Sequence, residues 1–310
     1  MPTLTRGSGS RPETSPTSEE RRALEKPRRS RTASVVRRFL RRQTAVFGLA
    51  LVTGVVGLAA FAPLLVPYPP DQPVGDINAP PSRAHVLGTD RLGRDLLSRL
   101  IFGARISLLV GFTAQLMSIL LGTGLGMMAG YYGRMVDISL MRIVDVLMAF
   151  PFILVAILVV AAIGPSTWNV ILAIGLTSWT ATARIIRAEV LRLRELEFIL
   201  AVRALGASNG RILVRHLLPN LLSMSVTLGT LGLGTAILAE ASLSFLGLGI
   251  QPPTASWGLE LSYGQLTVFS APIQTIAPSV AIFATVLGFN LLGDGARDAL
   301  DPRDATLRAL

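Results

Sequence analysis

The sequence predicts an all-α integral membrane protein with six transmembrane helices. Apolar residues make up 51% of the 310, and the mean hydropathy is +0.56; a soluble domain is not this apolar. Nearly uncharged stretches recur that are long enough to cross a ~30 Å hydrocarbon core at about 1.5 Å per residue. The 29 Lys and Arg residues also alternate between connections. Twenty-four lie in 1–42, 131–143, 184–215 and 294–310, four lie in the first long connection, and none lies in the other two on that side, with Arg105 at the edge of a span. Enrichment of Lys and Arg in cytoplasmic connections puts both termini in the cytoplasm.

Residues 1–42 carry twelve basic and four acidic residues. Their first 35 are rich in Ser, Thr, Pro, Arg and Glu and read as a disordered tail. A basic patch against a span suits anionic lipid, not nucleic acid. The first span is expected over 43–68. Its Ala60-Phe61-Ala62 imitates a signal-peptidase site, but the apolar run is too long, so the helix is uncleaved. Residues 69–100 form an extracytoplasmic connection. In it, Leu87–Arg99 reads as an interfacial helix on the outer surface, capped by Thr89 or Asp90.

Residues 101–293 hold five more spans. Ile106–Gly133 is the second, with Gly122, Gly126 and Gly130 at a spacing of four for close helix packing. Ile138–Ile163 is the third. In it Arg142 and Asp145 share a face and can pair, and Pro151 kinks the helix. Thr167–Ala183 is the fourth and Leu221–Phe245 the fifth. Glu240 falls near the outer end of the fifth; it is either functional or an interfacial carboxylate bonded to serine. Ile273–Gly293 is the sixth, followed by a cytoplasmic tail over 294–310.

The connection 247–271 is longer than joining two spans requires. It carries Pro252, Pro253, Trp257 and a single charge, Glu260. With Arg91, Arg94, Asp95 and Glu240 it reads as an outer gate or a docking face. Trp257 supplies contact area or anchors the loop at the bilayer surface.

Several chemistries are excluded. There is no Cys, and the two His, His85 and His216, are far apart, so no thiolate or His-based metal site is built. The single Lys, Lys26, forbids a GxxxxGK[ST] phosphate loop. No Ser-His-Asp set or paired carboxylates stand out. Energy must therefore come from a partner chain.

The stretch Arg184–Asn220 breaks the apolar pattern with seven Arg and three Glu, and its small residues cluster at Ala204-Leu205-Gly206-Ala207-Ser208. A charged, partly helical loop between spans is a docking surface, and small side chains permit close approach. Ala201, Gly206 and Leu218-Pro219 stand at the spacing of the EAA loop of ABC-importer permeases, which this stretch resembles. The family's leading Glu is Leu200 here, its second Ala is Val202, and its Ile three residues before the Pro is His216. Three further stretches, GTDRLGRDLLSRLIFGARISLLVG at 88–111, ASLSFLGLGIQPPTASWG at 241–258 and NLLGDGARDALDPR at 290–303, look like the DppC/OppC-type permeases of dipeptide, oligopeptide and nickel ABC importers.

That resemblance implies a type I ABC-importer permease architecture in the bacterial cytoplasmic membrane. It implies a second, homologous permease subunit, two ATPase subunits that hold ATP and Mg, an extracytoplasmic solute-binding protein, and a peptide as substrate. No cofactor belongs to this chain. The loop 184–220 would seat a coupling helix on an ATPase through Ala201, Arg203, Ala204, Gly206, Ala207, Ser208, Arg211, Arg215 and Pro219. A nickel or metal-chelate importer is the alternative. A self-sufficient secondary transporter would want ionisable groups near mid-membrane, and the one candidate, Glu240, lies near an end.

Overall fold

The computed structural model describes residues 31–300. The expected tail over 1–30 and the end of the C-terminal tail, 301–310, lie outside the described residues. Among the described residues the fold is helical, with no strand. Its main elements are α1 (Arg31–Leu40), α2 (Gln43–Ala60), α3 (Leu96–Tyr132), α4 (Arg134–Met148), α5 (Phe152–Ile163), α6 (Thr167–Leu193), α7 (Glu197–Ala204), α8 (Leu218–Phe245), α9 (Trp257–Gly264) and α10 (Ile273–Leu300). Five helical stretches are long and apolar enough to cross a membrane, and the bent pair α4/α5 makes a sixth when counted as one.

Helices α3 and α6 form the centre of the bundle. Their backbones nearly touch. A Cβ added at Gly122 would lie 2.6 Å from the Thr182 Cβ, one at Gly126 2.5 Å from the Ala183 carbonyl oxygen, and one at Gly130 2.8 Å from the Val190 Cβ. The expected small-residue face is thus the α3–α6 seam, where dispersion at close range holds helices that gain nothing from leaving lipid. Helix α8 packs on both, and α2 rides on α10, where Gly48 meets Leu291. Buried Val110, Ala114, Val170, Ile174, Ala236 and Leu243 form one core layer, and Ile186, Val190, Ile199, Ile212, Leu217 and Leu221 form another near one end.

Five expectations need correction. Residues 31–40, expected within the disordered tail, form helix α1. The first span ends at Ala60, and a single turn, Ala62–Leu65, follows. Pro63 has no N–H for the Ala59 carbonyl, so the helix cannot continue. No interfacial helix forms over 87–95. Gly88 and Gly93 take left-handed φ values of 78° and 72° and fold the chain back on 74–79; the second span then starts at Leu96, capped by Asp95 and not by Thr89 or Asp90. The third span does not merely kink at Pro151: α4 and α5 meet at 88°. Arg142 does not pair with Asp145, which accepts from Arg184 of α6 at 2.7 Å, while Asp137 takes Arg187. These two cross-helix pairs hold α4 against α6, around buried Val144, Trp179 and Ala183.

The α3–α6 seam generates a test. Gly126→Leu should cost about 1–3 kcal/mol, the usual range for overpacking a filled contact. Gly124→Leu, on open space, should cost little. Thermal unfolding of the two variants in detergent measures the difference.

Candidate functional site

The functional features gather at opposite ends of the bundle. At one end α6 runs past its apolar stretch to Leu193, and the Arg194 guanidinium returns to the Gly130 carbonyl at 2.8 Å. Helix α7 then lies across the end, held by Ile199, which is fully buried. It closes in a Schellman turn. The Ala207 N–H reaches back to the Val202 carbonyl at 3.3 Å and the Gly206 N–H to the Arg203 carbonyl at 3.0 Å, with Gly206 at φ 79°. That left-handed position is why glycine stands there. Close approach within this chain is not the reason, since a Cβ at Gly206 would meet nothing within 4 Å. The Tyr131 hydroxyl donates to the Asn209 Oδ1 at 2.9 Å, and the Arg203 guanidinium sits 5.6 Å from the Tyr131 ring centre.

The turn faces outward. Ala201, Arg203, Ala204, Gly206, Ser208, Arg211, Arg215 and Pro219 are exposed, and Ala207 is half-buried. Leu205, at the tip, is 87% exposed, and Phe198, Leu200 and Val214 add apolar surface. Sequence reasoning named the small and basic residues of this face and missed its apolar ones. Leu205 was legible as the large residue inside the small-residue cluster.

Past the loop the chain re-enters the bundle through a π-helical turn, Ile212–Leu217, continuous with α8. Pro219 explains it. A regular α-helix would need the Pro219 N–H for the Arg215 carbonyl, and the ring would strike that oxygen. The wider turn avoids the clash, and the Asn220 side chain donates to the His216 carbonyl at 2.6 Å.

The opposite end is a capped, charged knot. Arg99, with no exposed surface, donates to one Glu260 oxygen from Nε at 2.8 Å and Nη2 at 2.6 Å, and to the Pro70 carbonyl at 2.7 Å. Asp90 accepts from Arg94 Nε at 2.7 Å and from the backbone of Leu92 and Arg94. Asp95 accepts from Ser98 twice and meets His85 Nδ1 at 3.0 Å. Gln274 of α10 donates to the Thr89 carbonyl and to Asn78. Loss of water pushes the Glu260 carboxyl up from its ordinary value, and the Arg99 charge opposes that shift. Residues 70–99, α9 and the start of α10 are thereby fastened together.

Four of the residues read as a gate or docking face are therefore internal. Arg94 and Asp95 are buried in the knot. Trp257 is 2% exposed; its ring N–H donates to the Leu100 carbonyl at 3.0 Å, so it is neither a free contact surface nor a lipid anchor. Glu240 is fully buried and not interfacial. It closes two relays: the Trp257 N–H donates to Ser107 Oγ, which donates to Glu240 Oε2 at 2.9 Å, and the Ile250 N–H donates to Ser244 Oγ, which donates to Oε1 at 2.8 Å. The relays pin the returning connection 250–257 to α3 and α8. Arg91 stacks 3.7 Å from the centre of the Tyr263 ring, and Pro252 and Pro253 are exposed. The Arg99–Glu260 pair itself was missed, although Glu260 is the sole charge of its connection and so had to find a partner.

The profile of binding-protein-dependent transport system inner membrane components matches residues 122–304, and that of the N-terminal transmembrane domain of oligopeptide transport permease C matches 30–81. The dipeptide transport system permease protein DppC of Alkalihalophilus pseudofirmus is 46% identical over 84% of this chain and 86% of its own. The glutathione transport system permease protein GsiD of Pectobacterium atrosepticum is 46% identical over 86% of this chain and 89% of its own. The fold is shared with the MetNI methionine ABC transporter in inward-facing form, at TM-score 0.50 and 19% identity, over 66% of this chain and 98% of that one. The chain belongs to the family of binding-protein-dependent transport system inner membrane components, and it is a multi-span protein of the bacterial inner membrane.

The knot carries a prediction. Arg99→Met leaves Glu260 buried without its cation and should destabilise the protein by about 3–5 kcal/mol. Adding Glu260→Met should recover most of that loss, because two apolar groups replace the pair. A thermal-unfolding double-mutant cycle reads the coupling; additive losses would contradict it.

Proposed function

We propose that this chain is one permease subunit of an ATP-driven ABC importer for dipeptides and related short peptides. The observation that carries the reading is the loop end. Helix α7 and its Schellman turn present exposed apolar side chains inside a rim of arginines, a surface suited to a groove on a soluble partner. DppC and GsiD, relatives at 46% identity whose names specify a dipeptide and the tripeptide glutathione, support the solute class.

In this reading the partner is an ATPase subunit holding ATP and Mg. A second, homologous permease completes the passage, and a solute-binding protein delivers peptide on the far side. Residues 184–220 and both termini are cytoplasmic. ATP binding closes the ATPases and carries α7 as a rigid body. The fifth span, joined to the loop through the π-helical turn, rocks against the partner permease and opens the pathway outward. Hydrolysis resets the inward state. Each shift requires contacts that differ between the two states, and those lie in the partner chains.

Two measurements test the reading. Gly206→Arg and Ala204→Trp should leave insertion intact and abolish ATP-driven dipeptide uptake in proteoliposomes. Gly206→Arg fails doubly, because the side chain must take a left-handed backbone as well as crowd the interface. Normal ATPase association and uptake in both variants would refute the coupling role. For orientation, the chain has no cysteine of its own. Cysteines at Ser82 and Thr254 should react with an impermeant reagent added outside, and one at Ser208 should not; the reverse pattern would overturn the topology.

A further inference from the structure

The break between α4 and α5 has a consequence that the loop and the knot do not use. At Pro151 the Leu147 carbonyl loses the N–H it would meet in a continuous helix, and the Phe150 N–H makes no backbone bond among the described residues. In hydrocarbon each unsatisfied group costs several kcal/mol, so irregular backbone at membrane depth survives only inside protein or beside water. Beside the break lies a half-open cavity of about 330 Å³. Met148, Phe150 and Phe152 line it from the broken pair, Thr177 and Ser178 from the middle of α6, and Thr235 from the middle of α8.

The lining has a particular chemistry. None of its residues is charged. The Thr177 and Ser178 hydroxyls donate to the Ala173 and Ile174 carbonyls at 2.7 Å each, which leaves their oxygens as acceptors. The Thr235 hydroxyl has no partner among the described residues and can donate or accept. A wall facing lipid has no use for the unpaired Thr235 hydroxyl and the freed peptide groups at the break. A wall touching a solute in transit does.

We propose that this cavity is a contact site for the peptide backbone of the transported solute, recognised by hydroxyl and main-chain groups and by no charge. Broken helices form such sites where a chain must offer hydrogen bonds at membrane depth. The amide N–H groups of a short peptide meet the Thr177 and Ser178 oxygens, and its carbonyls meet the Thr235 hydroxyl. Side-chain charge of the solute is then ignored here. The inference rests on the peptide-importer reading and adds the site and its mode of recognition.

The test uses the complete complex, with its partner permease and ATPases, in proteoliposomes. Wild-type uptake of the dipeptides Ala-Ala and Asp-Ala is measured first. A complex that imports no peptide overturns the importer reading and this inference together. Ser178→Cys and Thr235→Cys are then exposed to a small water-soluble methanethiosulfonate, with and without Ala-Ala supplied by the binding protein. Modification that the dipeptide slows is expected. Peptide uptake with cysteines that only a lipid-soluble maleimide reaches, with cysteines that neither reagent reaches, or with modification the dipeptide does not slow, overturns the inference and leaves the importer reading standing. Thr235→Asp should depress uptake of Asp-Ala about tenfold more than that of Ala-Ala. Equal depression of both would also overturn it.

Discussion

Inside a bilayer no water satisfies the peptide group, and the rest of this structure follows from that constraint. Nearly every backbone donor at membrane depth is consumed within a helix, so association falls to packing. The α3–α6 seam supplies it at the closest range, with Gly126 under the Ala183 carbonyl. Helices α4, α5 and α8 are placed by reference to that pair. The exceptions are informative for the same reason. Proline withdraws a donor at the π-helical turn before Pro219, at the break at Pro151 and at Pro278 inside α10. At the first, the Asn220 side chain caps the neighbouring His216 carbonyl. At the second no such cap is present, and a cavity lies alongside.

The two ends of the bundle solve opposite problems. The charges of the knot are folded inward, and each is answered within the chain: Arg99 by Glu260, Arg94 by Asp90, Asp95 by Ser98. Burial without a partner would cost more than the pair returns, so the knot holds one geometry. The loop end leaves its arginines and Leu205 turned outward. Besides α3, a second 37-residue element joins the ends: Asn209–Phe245 is a continuous helical rod, about 55 Å at the α-helical rise. The loop is fastened at its foot and the Glu240 relays near its head. A displacement of α7 therefore reaches the residues around Glu240 without crossing a flexible joint.

The fold class was legible because hydropathy and the distribution of Arg are averages over many residues. The α3–α6 seam was legible because close approach has a short signature, glycine every fourth residue. What failed was pairwise. Arg142 and Asp145 share a helix face, yet Asp145 goes to Arg184, a residue 39 positions on whose closeness depends on how α4 crosses α6. Trp257 was placed at the surface because the connection 247–271 looks like a loop, and Glu240 because it falls near the outer end of its span. The connection dips back into the bundle through bonds from Trp257 to Ser107 and Leu100, which no local pattern records. Of the outer candidates, Arg94, Asp95, Trp257 and Glu240 are buried, whereas Pro252 and Pro253 are exposed. The loop-end candidates kept their exposure because Schellman geometry is local and Gly206 announces it.

No charged residue lines the cavity beside Pro151. The buried carboxylates, Glu240 and Glu260, have both oxygens or a full guanidinium committed to protein partners, so neither is offered to the cavity beside Pro151. That separation has a kinetic reason. A desolvated charge in the wall would be costly whenever no counter-charge faced it, and a passage must release what it admits. Hydroxyl and peptide groups exchange hydrogen bonds with a solute at about 1 kcal/mol each, enough to replace lost water and little enough to let go. Glu260 in the knot and Glu240 in the serine relays give rigidity away from that cavity. A wall that is apolar with a few hydroxyls and no charge, beside ends that are charged but closed or turned outward, is the arrangement expected when discrimination among solutes is left to the protein that delivers them.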